Sequence, residues 1–521
     1  MKGNLRRSMI WLHTYSGLFM GWLLFTIFVS GTLSYYSDEI TQWMQPEQLE
    51  VTRYKQPVNA ALTELNKKAQ GAAKWQIQLG TAREPGDSIR WQMPGESRRQ
   101  GHREPLIDSS NSTESSSEQL TPRETAGGRF FVHFHYALEL RNWGGRYFTG
   151  FAAMIMLVAC FSGIFTHRRF FQDFFTLRWK NLKRALTDSH AIIGIITLPF
   201  CFMICVSALL FYTYLYVPHS ANIHYEKGYN ELSSHISPSS YKRSESGEAA
   251  QPITNFAPIM EQVNQLWQGN HRITWITYQH PFDKNGYLTL YREKQLNLSR
   301  RTDTLTFDAQ SGQLLHQNKI PRIPRLTADV FLGLHEAKFA SPILRFGLFV
   351  LGSFCCVLIA TGSILWLQKR LEANKMHAGI KVTTKLNKVF FGGMIFAVLC
   401  YFYANRLIPI ETEHRDEWEI RAFLFSWLLF GLTTLIPAMI NWWRNAFYAM
   451  AVLSFGLPII DLLLPPHYLL KAVATTNLTY LSIHLSFIVT GLFCYKLASY
   501  CNKKKRELSA KGQQKKTEKR T

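Results

Sequence analysis

At 521 residues, with 14 tryptophans and 14% aromatic content, the chain is too long for one ordinary soluble domain and carries the aromatic load of a protein with membrane interfaces. Its formal charge of +22 does not mark a nucleic-acid binder. Much of that charge sits in short loops between apolar runs and in the tail from Lys503, as in the cytoplasmic loops of membrane proteins, so no nucleic acid is expected as a partner.

Residues 1–36 hold the first span. Its apolar stretch, Trp11 to Tyr36, follows Lys2, Arg6 and Arg7, which places the N-terminus in the cytoplasm. The run is too long for a signal peptide and ends in bulky Tyr35 and Tyr36, so it reads as an uncleaved transmembrane helix. Residues 37–144 are expected outside, with a helical pattern over Val58–Ala69, alternating strands at Trp75–Leu79 and Ser88–Met93, and a Ser-rich loop at Ser109–Ser117. Residues 145–217 hold the second and third spans, Tyr147–Thr166 and Ala191–Val217, around a basic cytoplasmic loop with Arg178, Lys180, Lys183 and Arg184. Residues 218–340 return outside, with alternation at Ile273–Tyr278, Gly286–Arg292 and Thr304–Leu315. The fourth span lies in 341–370.

Four more spans are predicted within 371–500, at Phe390–Leu407, Ile420–Ile440, Phe447–Leu464 and Val473–Leu497, before the basic tail 501–521. Eight spans return both termini to the cytoplasm. The fold expected is therefore a mainly α-helical integral membrane protein of about eight transmembrane helices, with two outside α+β domains. The eight cysteines all lie in or at the ends of apolar runs, so the polar segments have no disulfide framework; no C-x-x-C-H is present for covalent haem attachment.

The first four spans read as a duplication. Span one has His13-x-x-x-Gly17 and then Ser30-Gly31; span three has His190-x-x-x-Gly194 and then Ser207-Ala208 at the same distance. Span two is led by Phe131-x-x-x-His135, Arg146 and Ser162-Gly163; span four by Phe331-x-x-x-His335, Arg345 and Thr361-Gly362. A repeat in a membrane protein commonly builds its site at the repeat interface. By this pattern His13 and His190 lie near the cytoplasmic leaflet, and His135 and His335 near the outer one.

A single histidine at a helix end is ordinarily an interfacial or capping residue. Four at matched spacing and depth point to two bis-histidine b-type haems held non-covalently, since neutral imidazole is a good iron ligand and a four-helix bundle presents ligands from facing helices. Gly17 and Gly194 share the histidine face and would let a flat macrocycle approach; Arg146 and Arg345 are candidates for its propionates. His133 and His167 compete with His135 and His190 for the ligand roles. His414, His467 and His484 lie outside the repeat and read as structural or surface residues.

Leu12-His13-x-x-x-Gly17-Leu, the run from His167 to Arg178, Leu334-His335, Thr361-Gly362-x-x-x-Trp366 and the outside piece Phe307-Asp308-Ala-x-Ser-Gly312 together resemble the PepSY-associated transmembrane proteins, also called iron-regulated membrane proteins, over about residues 5–370. The resemblance implies PepSY-like outside domains, a bacterial inner-membrane location, and kinship with di-haem siderophore reductases. The activity it implies is delivery of electrons from the His13/His190 haem to the His135/His335 haem and on to a periplasmic Fe(III)-siderophore, releasing Fe(II). Membrane lipid surrounds the spans. Arg141, Trp143, Tyr147 and Arg325 are rim candidates for chelate docking. With no dinucleotide fingerprint in the chain, the donor is expected to be a quinol or a separate flavoprotein. Two rival readings stand beside this one. The first is a PepSY-based sensor or peptidase inhibitor anchored by the helices, without redox activity. The second is an iron-chelate transporter, against which the spans offer few midplane charges other than His484.

Overall fold

A computed structural model of the chain describes residues 2–47, 57–81, 83, 86–96, 101–106, 122–166, 178, 182–226, 228, 231–232, 241–268, 272–294, 297–318, 323–373, 378–436, 441–463 and 465–518. The expected loop Ser109–Ser117 and His167 lie outside the described residues. The chain divides into a helical unit (Met1–Pro46, Arg123–Cys205, Phe346–Thr521) and a sheet unit (Glu47–Pro122, Val206–Arg345).

Of the repeat spans, α1 (Lys2–Ser34) and α5 (Gly145–Thr166) form the first pair, and α6 (Leu182–Phe211) and α9 (Pro342–Glu372) the second. The short helices α2 (Ser37–Met44) and α4 (Arg129–Ala137) flank the first pair. In the helical unit the bundle core is Met20, Leu24, Phe28, Ala152, Met156, Phe200, Cys201, Cys205 and Cys355, a sulfur-rich set whose pliant side chains fill irregular gaps between helices. Helix α10 (Ala378–Leu407) contains a π-turn at Lys388–Gly392. Just before that turn, buried Asn387 accepts hydrogen bonds from Trp22 Nε1 on α1 and Ser363 Oγ on α9, each at 2.8 Å, tying α10 to the bundle. Helices α11 (Arg415–Leu432), α12 (Trp442–Leu463) and α13 (Leu478–Glu518) follow.

Seven helices among the described residues, rather than the expected eight, are long and apolar enough to cross a membrane. The difference is α11. Its first seven residues include Arg415, Asp416, Glu417, Glu419 and Arg421, too many charges for an apolar window, and residues 437–440 of the expected span lie outside the described residues.

In the sheet unit the strands of the two expected outside domains meet in one sheet. Strands β1 (Lys74–Gln78), β2 (Ser88–Gln92) and β3 (His102–Pro105) come from the first segment. Strands β4 (Ile273–Gln279), β5 (Tyr287–Arg292), β6 (Thr304–Asp308) and β7 (Leu314–Gln317) come from the second. All seven join in one antiparallel sheet of order β3-β2-β1-β4-β5-β6-β7. The junction is β1 against β4, with Ile77 opposite Ile276. Helix α3 (Pro57–Lys68) and helix α7 (Ala257–Trp267) contribute Leu62, Leu65, Ile259 and Val263 to the same core as Trp75, Ile77, Tyr278, Leu288 and Phe307. Joining two small modules edge to edge removes two exposed strand edges and merges two thin cores into one.

Candidate functional site

Helices α1 and α9 run antiparallel: a Cβ placed on Gly21 would meet Ile359 at 3.6 Å, and Gly352 lies against Thr32. This packing, with α5 and α6 beside it, brings His13 and His190 together inside the helical unit. Their ring centroids are 6.4 Å apart and their planes meet at 68°. Two imidazoles on opposite sides of one metal, at about 2 Å per metal–nitrogen bond, have centroids about 6 Å apart. The measured separation therefore fits a single metal between the rings.

The far side of each ring is anchored. His13 Nδ1 lies 2.9 Å from the Ala159 carbonyl oxygen. A carbonyl only accepts, so Nδ1 carries the proton and Nε2 keeps the lone pair that a metal needs. His190 Nδ1 lies 3.1 Å from Thr361 Oγ1, whose hydroxyl donates to the Val357 carbonyl at 2.8 Å and so accepts from the histidine. Bonds of this kind set tautomer and ring orientation for a ligating histidine.

The Ser/Thr–Gly pairs of the repeat now have a physical role, and it runs crosswise within each half. Gly163 on α5 faces His13 of α1, a Cβ there falling 3.2 Å from the ring Cε1; Gly362 on α9 faces His190 of α6, with 3.1 Å to Cε1. Gly31 on α1 faces His135 of α4, where a Cβ would fall 2.6 Å from Nδ1. Ser207 Oγ on α6 lies 2.7 Å from His335 Nδ1. Glycine inside a helix costs about 1 kcal/mol relative to alanine, and close ring approach explains its presence here.

A cavity of about 630 Å³ opens beside His13 and His190, within the usual range for small-molecule sites. Gly17 and Gly194 both line it, and a side chain added at Gly17 would meet nothing within 4 Å. Among the described residues no group of three or more His, Cys, Asp or Glu side chains could hold a bare metal ion. Two imidazoles do not complete a metal's coordination, so a group that brings its own nitrogen donors, such as a tetrapyrrole, would fit these residues.

The other predicted residues are placed as follows. His135 sits in the helical unit with Nδ1 2.8 Å from the Ile27 carbonyl oxygen. Desolvation pushes its imidazole below the usual range, favouring the neutral form that binds metals. His335 sits in the sheet unit on α8 (Ile323–Glu336), edge-on to Phe211 at 5.4 Å. His133 packs edge-on against Tyr136. Arg146 and Arg141 both lie over the Tyr136 ring, at 5.3 and 5.6 Å. Trp143 and Tyr147 are exposed, and Arg325 pairs with Asp329 at 3.1 Å. Buried Arg345 donates from Nη2 to the Ala340 carbonyl at 2.9 Å.

The sequence reading did not reach a buried ionic network in the helical unit. Arg406 is bidentate to Asp461, at 2.7 and 3.1 Å, and lies over the Trp43 ring at 3.8 Å. Asp461 also accepts from the Tyr480 hydroxyl at 2.6 Å, and His484 Nε2 lies 3.1 Å from both Asp461 Oδ2 and Trp43 Nε1. Nearby, Arg415 pairs with Glu419 at 2.6 Å, both fully buried. The acidic and basic residues concerned were visible, but no spacing rule joins positions up to 441 residues apart.

A family model described as the PepSY-associated TM region matches residues 10–369, ending before α10. No curated protein matches the chain.

Proposed function

Because the chain belongs to the PepSY-associated transmembrane family of multi-pass membrane proteins, we propose that it is an inner-membrane b-type haem protein that passes electrons across the bilayer to an outside Fe(III)-siderophore or similar chelate. The observation that carries this reading is the pairing of His13 with His190 at single-metal separation beside a cavity of small-molecule size. A haem held there by His13 and His190 would supply a one-electron Fe(III)/Fe(II) couple. The chain's own contribution is to present two neutral imidazoles, hold their orientation through Ala159 and Thr361, and leave the Gly17 face of α1 open to a flat ring, with Gly194 of α6 lining the same cavity. The largely apolar cavity wall would give such a ring an apolar bed.

The repeat extends the proposal to a second haem, for which His135 and His335 occupy the matching sequence positions. The rim residues around Trp143 and Tyr147 offer an exposed aromatic surface for chelate docking. Lys2, Arg6 and Arg7 favour a cytoplasmic N-terminus. Helix α11 doubles back along α10, Glu419 meeting Asn405 and Trp427 meeting Val389, and its crossing returns both termini to the basic side. Quinol or a separate flavoprotein fits the role of donor.

The test is haem content. Full-length protein in detergent should give a b-type pyridine haemochrome with near two haems per chain, and His13→Ala should remove about one. A colourless, folded wild type would leave the family's sensor or inhibitor reading in its place.

A further inference from the structure

The cavity beside His13 and His190 is electrostatically one-sided. Among its described lining residues are three cations, Arg7, Lys369 and Arg370, and no Asp or Glu. Among the described residues none of the three has a carboxylate partner. They also share one end of the bundle. Gly21 of α1 meets Ile359 of α9, and the helices are antiparallel. Going back from Gly21 to Arg7 and forward from Ile359 to Lys369 therefore leads the same way, by about 21 and 15 Å of helical rise. The opposite end is closed by the bundle core residues Leu24, Met156 and Cys201. The cavity is thus a slot with an apolar floor, two imidazoles on its walls and a cationic mouth.

One of the three cations is pre-positioned. The Arg370 guanidinium lies 3.8 Å from the centroid of the Trp366 ring, and Trp366 itself lines the cavity and is 9% exposed. Stacking on an indole holds a guanidinium in place while its N–H groups stay available for bidentate binding of a carboxylate. A cation needed only to anchor the chain at a membrane interface has no requirement for such a seat.

We propose that Arg7, Lys369 and Arg370 form a carboxylate clamp that takes the two propionates of a haem bound between His13 and His190, so that the ring enters apolar edge first and its anionic edge rests at the Arg7 end. This rests on the haem reading above and adds to it an orientation and a set of positioning residues. The clamp distinguishes a flat dianion from a neutral flat molecule of the same shape, because three cations at the mouth, with no carboxylate partner among the described residues, favour charge on that edge alone. None of the three residues touches the metal. They act on retention and on the electron affinity of the site, where a nearby positive charge favours the reduced, less positive centre.

The experiment compares two probes on one protein. Full-length chain is produced in haem-deficient cells, purified in detergent, and titrated with haem and with haem dimethyl ester, which keeps the ring and the iron but lacks the propionate charges. Wild type is expected to bind haem at least about tenfold more tightly than the ester. Lys369→Gln with Arg370→Gln should narrow that ratio towards one while the bis-histidine Soret band persists, and Arg7→Gln should shift it in the same direction. An unchanged ratio in these variants overturns the clamp while leaving the haem reading intact. Failure of wild type to bind either probe at the His13/His190 site overturns the haem reading itself. If the double variant does not fold, Arg370→Lys gives the readout: loss of the planar fork should lower the ratio, and an unaltered ratio counts against the clamp.

Discussion

Gly163 shows how little of a site one residue type announces. A glycine in an apolar helix is unremarkable in sequence, and only its recurrence as Ser/Thr–Gly in three of four spans marked it. What it does, letting the His13 ring approach α5, depends on a helix pairing that sequence spacing does not give. Gly163→Ala separates the two roles of the position. Alanine is the better helix former by about 1 kcal/mol, so thermal stability of the haem-free protein in detergent should hold. The added Cβ, 3.2 Å from His13 Cε1, should displace the ring and lower haem occupancy several-fold. Equal haem content in the two proteins would count against the site.

In the sheet unit, Asp283 makes a different residue-level statement. Its carboxylate accepts from the backbone N–H groups of Ser246 (2.9 Å), Gly247 (2.8 Å) and Asn285 (2.7 Å), and the Ser246 N–H leads the donors that hold its pKa down to about 2. A depressed carboxylate stabilises the folded state above its unfolded value of about 3.9 and loses that contribution as pH falls through the folded value. Protection of the Ser246 and Gly247 amides from hydrogen exchange should therefore drop between about pH 4 and pH 2. Asp283→Asn should abolish that step.

At the scale of elements, the strands were legible and their partners were not. Alternation over Trp75–Leu79 and Ile273–Tyr278 marks β1 and β4, whose apolar sets, Trp75 with Ile77 and Ile276 with Tyr278, enter the core, although Gln76 and Thr277 between them are buried too. Nothing in either run says that β1 pairs with β4 across nearly 200 residues, since an unpaired edge looks the same from either module. The merged sheet predicts shared cooperativity. Ile77 and Ile276 are 1% and 0% exposed and sit opposite each other. Ile77→Ala should cost about 2–5 kcal/mol. Hydrogen exchange should rise together in β2 and β5; a loss confined to β1–β3 would mean two independent modules. Helix α11 is the converse case: its apolar second half was read as a span, while its charged first turns serve the buried Arg415–Glu419 pair.

For the whole molecule, the helices beyond the family match gain a structural purpose. They brace the histidine-bearing helix α4 and its approach. Phe130 stacks on Tyr401 at 4.8 Å and Phe134 meets Phe423 at 5.2 Å. Arg123 donates to the Asn405 carbonyl at 2.7 Å, Thr125 to Glu419 at 2.6 Å, and Tyr401 to the Gly127 carbonyl at 2.8 Å. The Arg406–Asp461 pair, with side chains 3% and 1% exposed, secures α10 to α12 and to Trp43. Asp461→Ala would leave Arg406 buried without its counter-charge and should cost about 3–5 kcal/mol, read as a lower melting temperature in detergent. The central claim, that His13 and His190 clasp one iron, is tested most directly by electron paramagnetic resonance of the oxidised, full-length protein. The account predicts low-spin ferric signals of bis-imidazole ligation, one of which disappears in both His13→Ala and His190→Ala. Signals untouched by either substitution, or no haem signal from folded protein, would contradict it.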